Sequence, residues 1–419
     1  VTEAVVDRAT RRHLRQKARA GLFEDSAPNP DAAPAAFGTD AIESLARRAA
    51  RRSQILLHND GILPLSPDAA VAVVGPTADE PRNLLGNYSY AGAENADGGI
   101  DVVTPLAALR DRLDTVTYAR GCGIRAGPSD HIDAAVDAAN GADVAVAVVG
   151  GKSGIDVERD STGTAGEALD RAALDLPGRQ RELVRRVAAT GTPVVVVLVG
   201  GRPFAVPEVV DYATATIEAW LPGQAGGDAI ADVLLGADPG GRLPVSLPRT
   251  VGQLPIHYRQ AAVSTGEYVF HEGSPLFPFG HGESYADFEY GSVSVGADTV
   301  SGSGETTVGV PVENVAARPG SEVVQLYASD PLSSVVRPAR ELVGFQRLDL
   351  AAGERVAVEF TLPAAALGCH DADGKRVVES GRFGIAVGHS VTDIRGTTSV
   401  TVSTSGRPAR RPIATATIE

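Results

Sequence analysis

The 419 residues contain no methionine, one tryptophan and two cysteines, and no apolar run approaches the length of a membrane helix. Each shortage excludes something. The longest apolar run, Pro193 to Val199, is far short of the roughly 20 residues needed to cross a bilayer, so no membrane span is expected. Cys122 and Cys369 fall in segments of different character, which excludes a disulfide framework. Two unconnected thiols lean slightly toward a reducing, cytoplasmic compartment, although a cysteine-poor secreted protein would read the same way. Positive charge is also short: 38 Lys and Arg stand against 52 Asp and Glu, for a formal charge of -14. That balance opposes phosphate backbones and anionic lipid, so neither nucleic acid nor a membrane is expected as a partner. The start, Val1 to Arg8, has no basic region followed by an apolar one, so no uncleaved signal peptide is read there. A chain without Met that begins at Val1 is expected to have been cut or processed from something longer.

What is present is ordinary for a globular protein: 43% hydrophobic and 21% charged residues, enough for two or three cores, since one core rarely grows beyond about 250 to 300 residues. Val1 to Arg19 has helical periodicity ending at Gly21, and Ser26 to Gly38, rich in Pro and Ala, reads as a linker. Thr39 supplies an N-cap for a helix predicted to run to about Leu57. Short β-branched runs follow at Val71–Val74, Val116–Tyr118, Val144–Val149, Val194–Val199 and Ala215–Trp220. Helical segments at Ile132–Ala139 and Arg179–Ala189 separate the later ones, and another at Ala225–Leu235 follows the last. That alternation predicts a parallel-type α/β sandwich, with ligands at the carboxyl ends of the strands, where the loops are glycine-rich. After about Tyr285 the helices stop. Strand-like segments at Glu289–Val295, Thr306–Glu313, Glu322–Ala328, Arg355–Leu362 and Gly381–Gly388 predict an all-β sandwich, and residues from Gly406 read as a mobile tail.

The candidate catalytic residue is Glu167, in Gly166-Glu167-Ala168-Leu169-Asp170-Arg171, followed by the helix start Leu176-Pro177-Gly178-Arg179-Gln180. A carboxyl in a glycine-flanked loop at the end of a parallel strand is expected to be partly desolvated, which suits it to donate a proton near neutral pH. The plainer reading pairs Glu167 with Arg171 four residues on, as on a helical surface. Asp156, Glu158 and Asp160 lie in the preceding loop, and Glu158 is the main rival. A phosphate-binding loop is excluded, because Val146 stands where the motif ending in Gly151-Lys152-Ser153 needs glycine. The eight histidines lack ligand spacing, so no metal is expected, and no Gly-x-Ser-x-Gly elbow occurs.

Several ordered motifs carry a resemblance. They are Ala46 to Leu65, with Leu56-Leu57-His58-Asn59-Asp60-Gly61; Ala72-Val73-Val74-Gly75-Pro76; Arg202-Pro203; Ala219-Trp220-Leu221-Pro222-Gly223-Gln224-Ala225-Gly226; Gly240 to Pro248; Phe277-Pro278-Phe279-Gly280-His281-Gly282; and Gly320 to Tyr327 with Arg337 to Phe345. Together they resemble the C-terminal part of a family 3 glycoside hydrolase. The resemblance implies a post-barrel helix and linker at 1–38, an α/β sandwich at 39–260 and a connector at 261–286. Beyond these it implies a fibronectin type III-like domain at 287–405 and a tail at 406–419. It implies Glu167 as general acid/base of a retaining, exo-acting β-glycosidase, with Asp170, Arg171, Leu176 and Pro177 at the family's spacing and Ala168 where many relatives have Gly. It implies an aromatic that stacks on the leaving sugar at Tyr88, in Gly86-Asn87-Tyr88-Ser89-Tyr90, whose plainer reading is a half-buried loop tyrosine. No cofactor is implied.

Retaining chemistry needs a second carboxyl roughly 5 to 5.5 Å from the first. The family keeps that nucleophilic aspartate in an N-terminal (β/α)₈ barrel, next to serine and an aromatic. Here Ser129-Asp130 is followed by His131, and no eightfold array is readable. The expected partners are therefore a β-glycoside and a barrel segment or polypeptide, with a homo-oligomer left open. A terminal β-glucosyl residue is favoured over a β-xylosyl one. The alternatives are a noncatalytic carbohydrate-associated or assembly module and a nucleotide-binding α/β protein.

Overall fold

The computed structural model describes residues 1–24, 29–32, 35, 38–89, 101–125, 127, 131–154, 163–167, 169–260 and 268–419. Asp156, Glu158, Asp160, Ala168 and Ser129-Asp130 lie outside them. Two units are distinguished, Val1–Leu45 and Ala46–Glu419. In the first, helix α1 (Glu3–Arg19) ends in a Schellman arrangement: Gly21 adopts φ +71°, its N–H bonds the Ala18 carbonyl at 3.1 Å, and the Leu22 N–H bonds the Lys17 carbonyl at 3.0 Å. Helix α2 (Asp40–Ser53) starts under the Thr39 cap, whose hydroxyl accepts the Ile42 N–H at 3.4 Å.

The helix predicted to reach Leu57 stops at Ser53, and Ile55–Asn59 is instead strand β1. Ile55, Leu56 and Leu57 are all buried, and a three-residue apolar run fits a helix end or a buried strand equally well. β1 joins β2 (Val71–Val74), β3 (Val116–Ala119), β4 (Val144–Gly150), β7 (Val194–Val199) and β8 (Ala215–Trp220) in one sheet of order β1-β8-β7-β4-β2-β3. The five strands after β1 pair in parallel and β1 is antiparallel to β8. Helices α3 (Pro105–Arg110) and α7 (Gly226–Leu234) bury Leu106, Leu109 and Ile230 with Val146, Val197 and Ile217 on one face. On the other, α4 (Ile132–Asn140), α5 (Gln180–Ala188) and α6 (Pro207–Tyr212) bury Ile132, Leu183 and Val209 with Val149, Val196 and Leu198. Strands apolar on both faces are what a sheet covered twice requires. The outer edge of β1 is closed by a strap: Gly241 N–H bonds the Gln54 carbonyl at 3.0 Å, Glu283 N–H the Leu56 carbonyl at 2.7 Å, and His281 Nε2 lies 2.8 Å from the Leu57 carbonyl. Past the carboxyl end of β4, β5 (Ser153–Gly154) and β6 (Ala165–Gly166) form a parallel two-strand ribbon.

The all-β part is two sheets around Val310, Leu326, Phe360, Phe383 and Val400. One has order β10 (Ser294–Val295), β12 (Glu305–Asn314), β15 (Arg355–Pro363), β20 (Thr415–Ile418), with β9 (Phe288–Tyr290) also on β12. The other has order β11 (Thr299–Val300), β19 (Ile394–Val402), β18 (Gly381–Gly388), β13 (Gly320–Ser329), β14 (Glu341–Leu350), and β16 (Cys369–His370) pairs β17 (Arg376–Val377) alone. Three readings change. The segment read as one strand over Glu289–Val295 is split between β9 and β10, while β14 and β19 went unread. The residues read as a mobile tail include β20, paired with β15 through Ala416↔Phe360, so this stretch is an edge strand. Among the described residues no helix is long and apolar enough to cross a membrane.

Candidate active site

Glu167 follows the β5–β6 ribbon, and the glycine before it is dictated by close approach. Gly166 has φ +124°, and a Cβ there would come within 2.1 Å of the Gly154 carbonyl oxygen. The turn closes with Leu169 N–H on the Gly166 carbonyl at 3.3 Å. Arg202, in the glycine-rich loop after β7, braces it by donating to the Leu169 carbonyl at 3.2 Å and lying 3.9 Å from Asp170. Glu167 is thus carried by a ribbon turn rather than by a helix start, because α5 begins only at Gln180.

Tyr88 arrives from the loop after β2. Its neighbour Asn87 is pinned to the ribbon from both sides: the Asn87 N–H donates to Ser153 Oγ at 3.1 Å, and that hydroxyl donates to Asn87 Oδ1 at 3.1 Å. With Asn87 fixed there, the Tyr88 hydroxyl donates a short hydrogen bond to Glu167 Oε2. Donating to that carboxylate pushes the Tyr88 phenol above its ordinary value. The structure therefore joins the two residues that sequence reasoning named separately. The half-buried setting suggested as the plainer reading of Tyr88 is absent, since its side chain is 78% exposed.

Two other expectations are corrected here. Arg171 does not pair with Glu167; it donates to the Asp175 carbonyl and lies over the Phe204 ring, 5.9 Å from the centroid. Burial, reinforced by Arg202, lowers its pKa. Nor do the described residues desolvate Glu167, which is exposed on the ledge beyond the sheet. The Asn87–Ser153 pin and the Arg202 brace were missed, because neither residue pair has a sequence signature; Arg202 was read only within the Arg202-Pro203 motif and a glycine-rich loop at a strand end. Among the described residues, no three His, Cys, Asp or Glu side chains gather closely enough to hold a metal ion.

The glycosyl hydrolase family 3 C-terminal domain model matches residues 54–285, more than half of the chain. The chain belongs to glycoside hydrolase family 3. A fibronectin type III-like domain matches residues 322–391 of this family 3 chain. It is 38% identical over 95% of its length to a β-xylosidase of Formosa agariphila, covering 55% of that protein. It is 36% identical over 93% of its length to the periplasmic β-glucosidase of Salmonella typhimurium, covering 54% of it. Among solved structures, the β-glucosidase of Listeria innocua in complex with isofagomine superposes with a TM-score of 0.86 at 31% identity, over 96% of this chain and 56% of that one. The family 3 chain thus spans about half the length of the curated relatives it matches.

Proposed function

We propose that this chain carries the acid/base half of a retaining, exo-acting β-glycosidase, with Glu167 as the proton donor and acceptor and Tyr88 as its hydroxyl partner and sugar platform. The observation that carries the reading is the Tyr88–Glu167 hydrogen bond on an open ledge at the carboxyl ends of a parallel sheet. Ligands bind at that end of such sheets. The nucleophile is an aspartate on a barrel segment outside these 419 residues. It attacks the anomeric carbon as the glycosidic C–O bond breaks, and Glu167 gives its proton to the departing oxygen. Glu167, now a carboxylate, then takes a proton from the water that displaces the aspartate, which restores both groups. Most of the relatives are named β-glucosidases or β-xylosidases and two are named exo-α-(1->6)-L-arabinopyranosidases; the terminal β-glucosyl residue is the preferred substrate.

In the enzyme with its barrel, Glu167→Gln is expected to lower kcat about 10²- to 10⁴-fold on substrates with poor leaving groups. The loss should be much smaller with activated aryl leaving groups, and azide should restore turnover. Turnover left at the wild-type level would remove Glu167 from the chemistry and favour a noncatalytic module.

A further inference from the structure

Glu218, third from the end of β8, is completely buried and none of the chemistry above uses it. Its Oε1 accepts the Trp220 N–H at 3.1 Å, and its Oε2 is buried without a hydrogen-bond partner. Trp220 has φ +53°, a left-handed conformation uncommon for any residue with a side chain. The parallel pairing of β7 and β8 slips at the same place, where Leu198 faces Glu218 but Val199 faces Trp220, leaving Ala219 as the extra residue. Two loops hang from this turn. On one side, the Trp220 carbonyl accepts the Gly200 N–H at 2.9 Å, and Leu221 packs where a Cβ on Gly201 would come within 3.1 Å. That loop ends in Arg202, the brace of the Glu167 turn. On the other side, the Gly223 N–H bonds the Leu84 carbonyl at 3.0 Å, just ahead of the Gly86-Asn87-Tyr88 segment.

We propose that Glu218 is a positioning residue: its buried carboxyl fixes the left-handed Trp220 turn, and through that turn it sets the two loops that present Tyr88 and Glu167. The inference rests on the function proposed above for those two residues. A neutral acid suits the task. It accepts one N–H without a counter-ion, whereas an ionised group at this depth would need a cation. Burial pushes the Glu218 carboxyl up to about 8, with the Trp220 N–H opposing it only in part. Among the described residues the Glu218 carboxyl has no charged hydrogen-bond partner, and several ionisable groups on the elements beside it are engaged elsewhere. On β1, His58 pairs with Asp60; on α5 and α6, Arg181 pairs with Glu208; in the strap, His281 meets the Leu57 carbonyl and Arg242 pairs with Glu322; β7 has none.

Trp220 is the only tryptophan in the 419 residues, so excitation at long wavelength reads this turn alone. Between pH 6 and 9 the wild-type chain should show a reversible change in Trp220 emission. Glu218→Gln should keep the neutral-pH spectrum, since its amide oxygen still accepts the N–H, and lose the transition. Glu218→Leu should shift the emission at every pH. In the enzyme with its barrel, Glu218→Leu should lower kcat about 10- to 100-fold with KM little changed, as expected for misplaced groups, and Glu218→Gln should recover most of the loss. An alkaline transition that survives in Glu218→Gln, or a Glu218→Leu enzyme with wild-type kcat, would overturn the proposal. The emission measurement involves no catalysis, so it decides on Glu218 even if Glu167→Gln leaves turnover intact. A wild-type kcat in Glu218→Leu beside an inactive Glu167→Gln would end the positioning role and spare the proposed function.

Discussion

Tyr88 and Glu167 are 79 positions apart in the chain, and the contact between them depends on a second residue pair, Asn87 and Ser153, that no motif flags. Glu167 was legible as a candidate, because its glycine neighbour and the ordered motifs around it resemble one family. Its exposure was not, since burial depends on what surrounds a loop and not on the loop's own residues. The bond between the two side chains makes a prediction at this scale. In Glu167→Gln the charged acceptor is gone, so the Tyr88 phenol, now held above its ordinary value, should titrate at lower pH. Alkaline ultraviolet difference titration of the 419-residue chain, with Tyr88→Phe to assign the signal, measures this. A Tyr88 titration curve identical in wild type and Glu167→Gln would show that the hydrogen bond is not formed in solution.

Among the elements, the five parallel strands were readable because each is a short run with β-branched residues, and the four inside β3 are buried on both faces, for which few other structures are available. Those that escaped share a different property. β14 interleaves Glu341, Gln346, Arg347 and Asp349 with its apolar residues, and β20 follows a basic, proline-containing stretch, so composition disguised pairings that only the neighbouring strands specify. The most constrained points of the sheet are its glycine ends. At Gly150, φ is +148° and a Cβ would come 1.7 Å from the Val199 carbonyl oxygen, so β4 and β7 touch backbone to backbone just ahead of the ribbon that leads to Glu167. Gly150→Ala is therefore expected to cost about 2 to 4 kcal/mol, from strain and the separation of two central strands. Urea unfolding of the chain would register it as a lower midpoint, and a midpoint within error of wild type would contradict this account of the strand end.

For the molecule as a whole, the order of motifs disclosed the two folds and their sequence, while the way the sandwich and the β-domain grip each other was invisible beforehand. Glu322 of β13 is 1% exposed, yet it lies 2.9 Å from Arg242 of the strap and 2.8 Å from His389 Nδ1, and the other nitrogen of that ring meets the Gly282 carbonyl at 2.7 Å. Burial pushes the Glu322 carboxyl up, but Arg242 and His389 outweigh it and hold it at about 2. Its folded value is thus below its unfolded one, near 4.5. The stabilisation is complete above about 4.5 and is lost as pH falls toward 2. Glu322→Gln, which leaves Arg242 buried without its counter-ion, should lose about 3 to 5 kcal/mol at neutral pH and show a flatter decline in acid. Denaturant titrations at pH 7 and at successively lower pH compare the two. Equal stability with an equal acid slope would dismiss the latch. Asp238, which accepts from the Ser284 hydroxyl and from the Tyr285 and Ser321 N–H groups, and Arg347, which donates to the Gly240 carbonyl, extend the same seam. The strap that supplies Arg242 and Gly282 to this seam is also what covers β1, and it takes its backbone from two stretches, Gly241–Arg242 and His281–Glu283. An unprotected edge strand offers its free N–H and C=O groups to any other chain. The segments that dock the β-domain therefore also cover the sheet edge that would otherwise be open to pairing with a second chain.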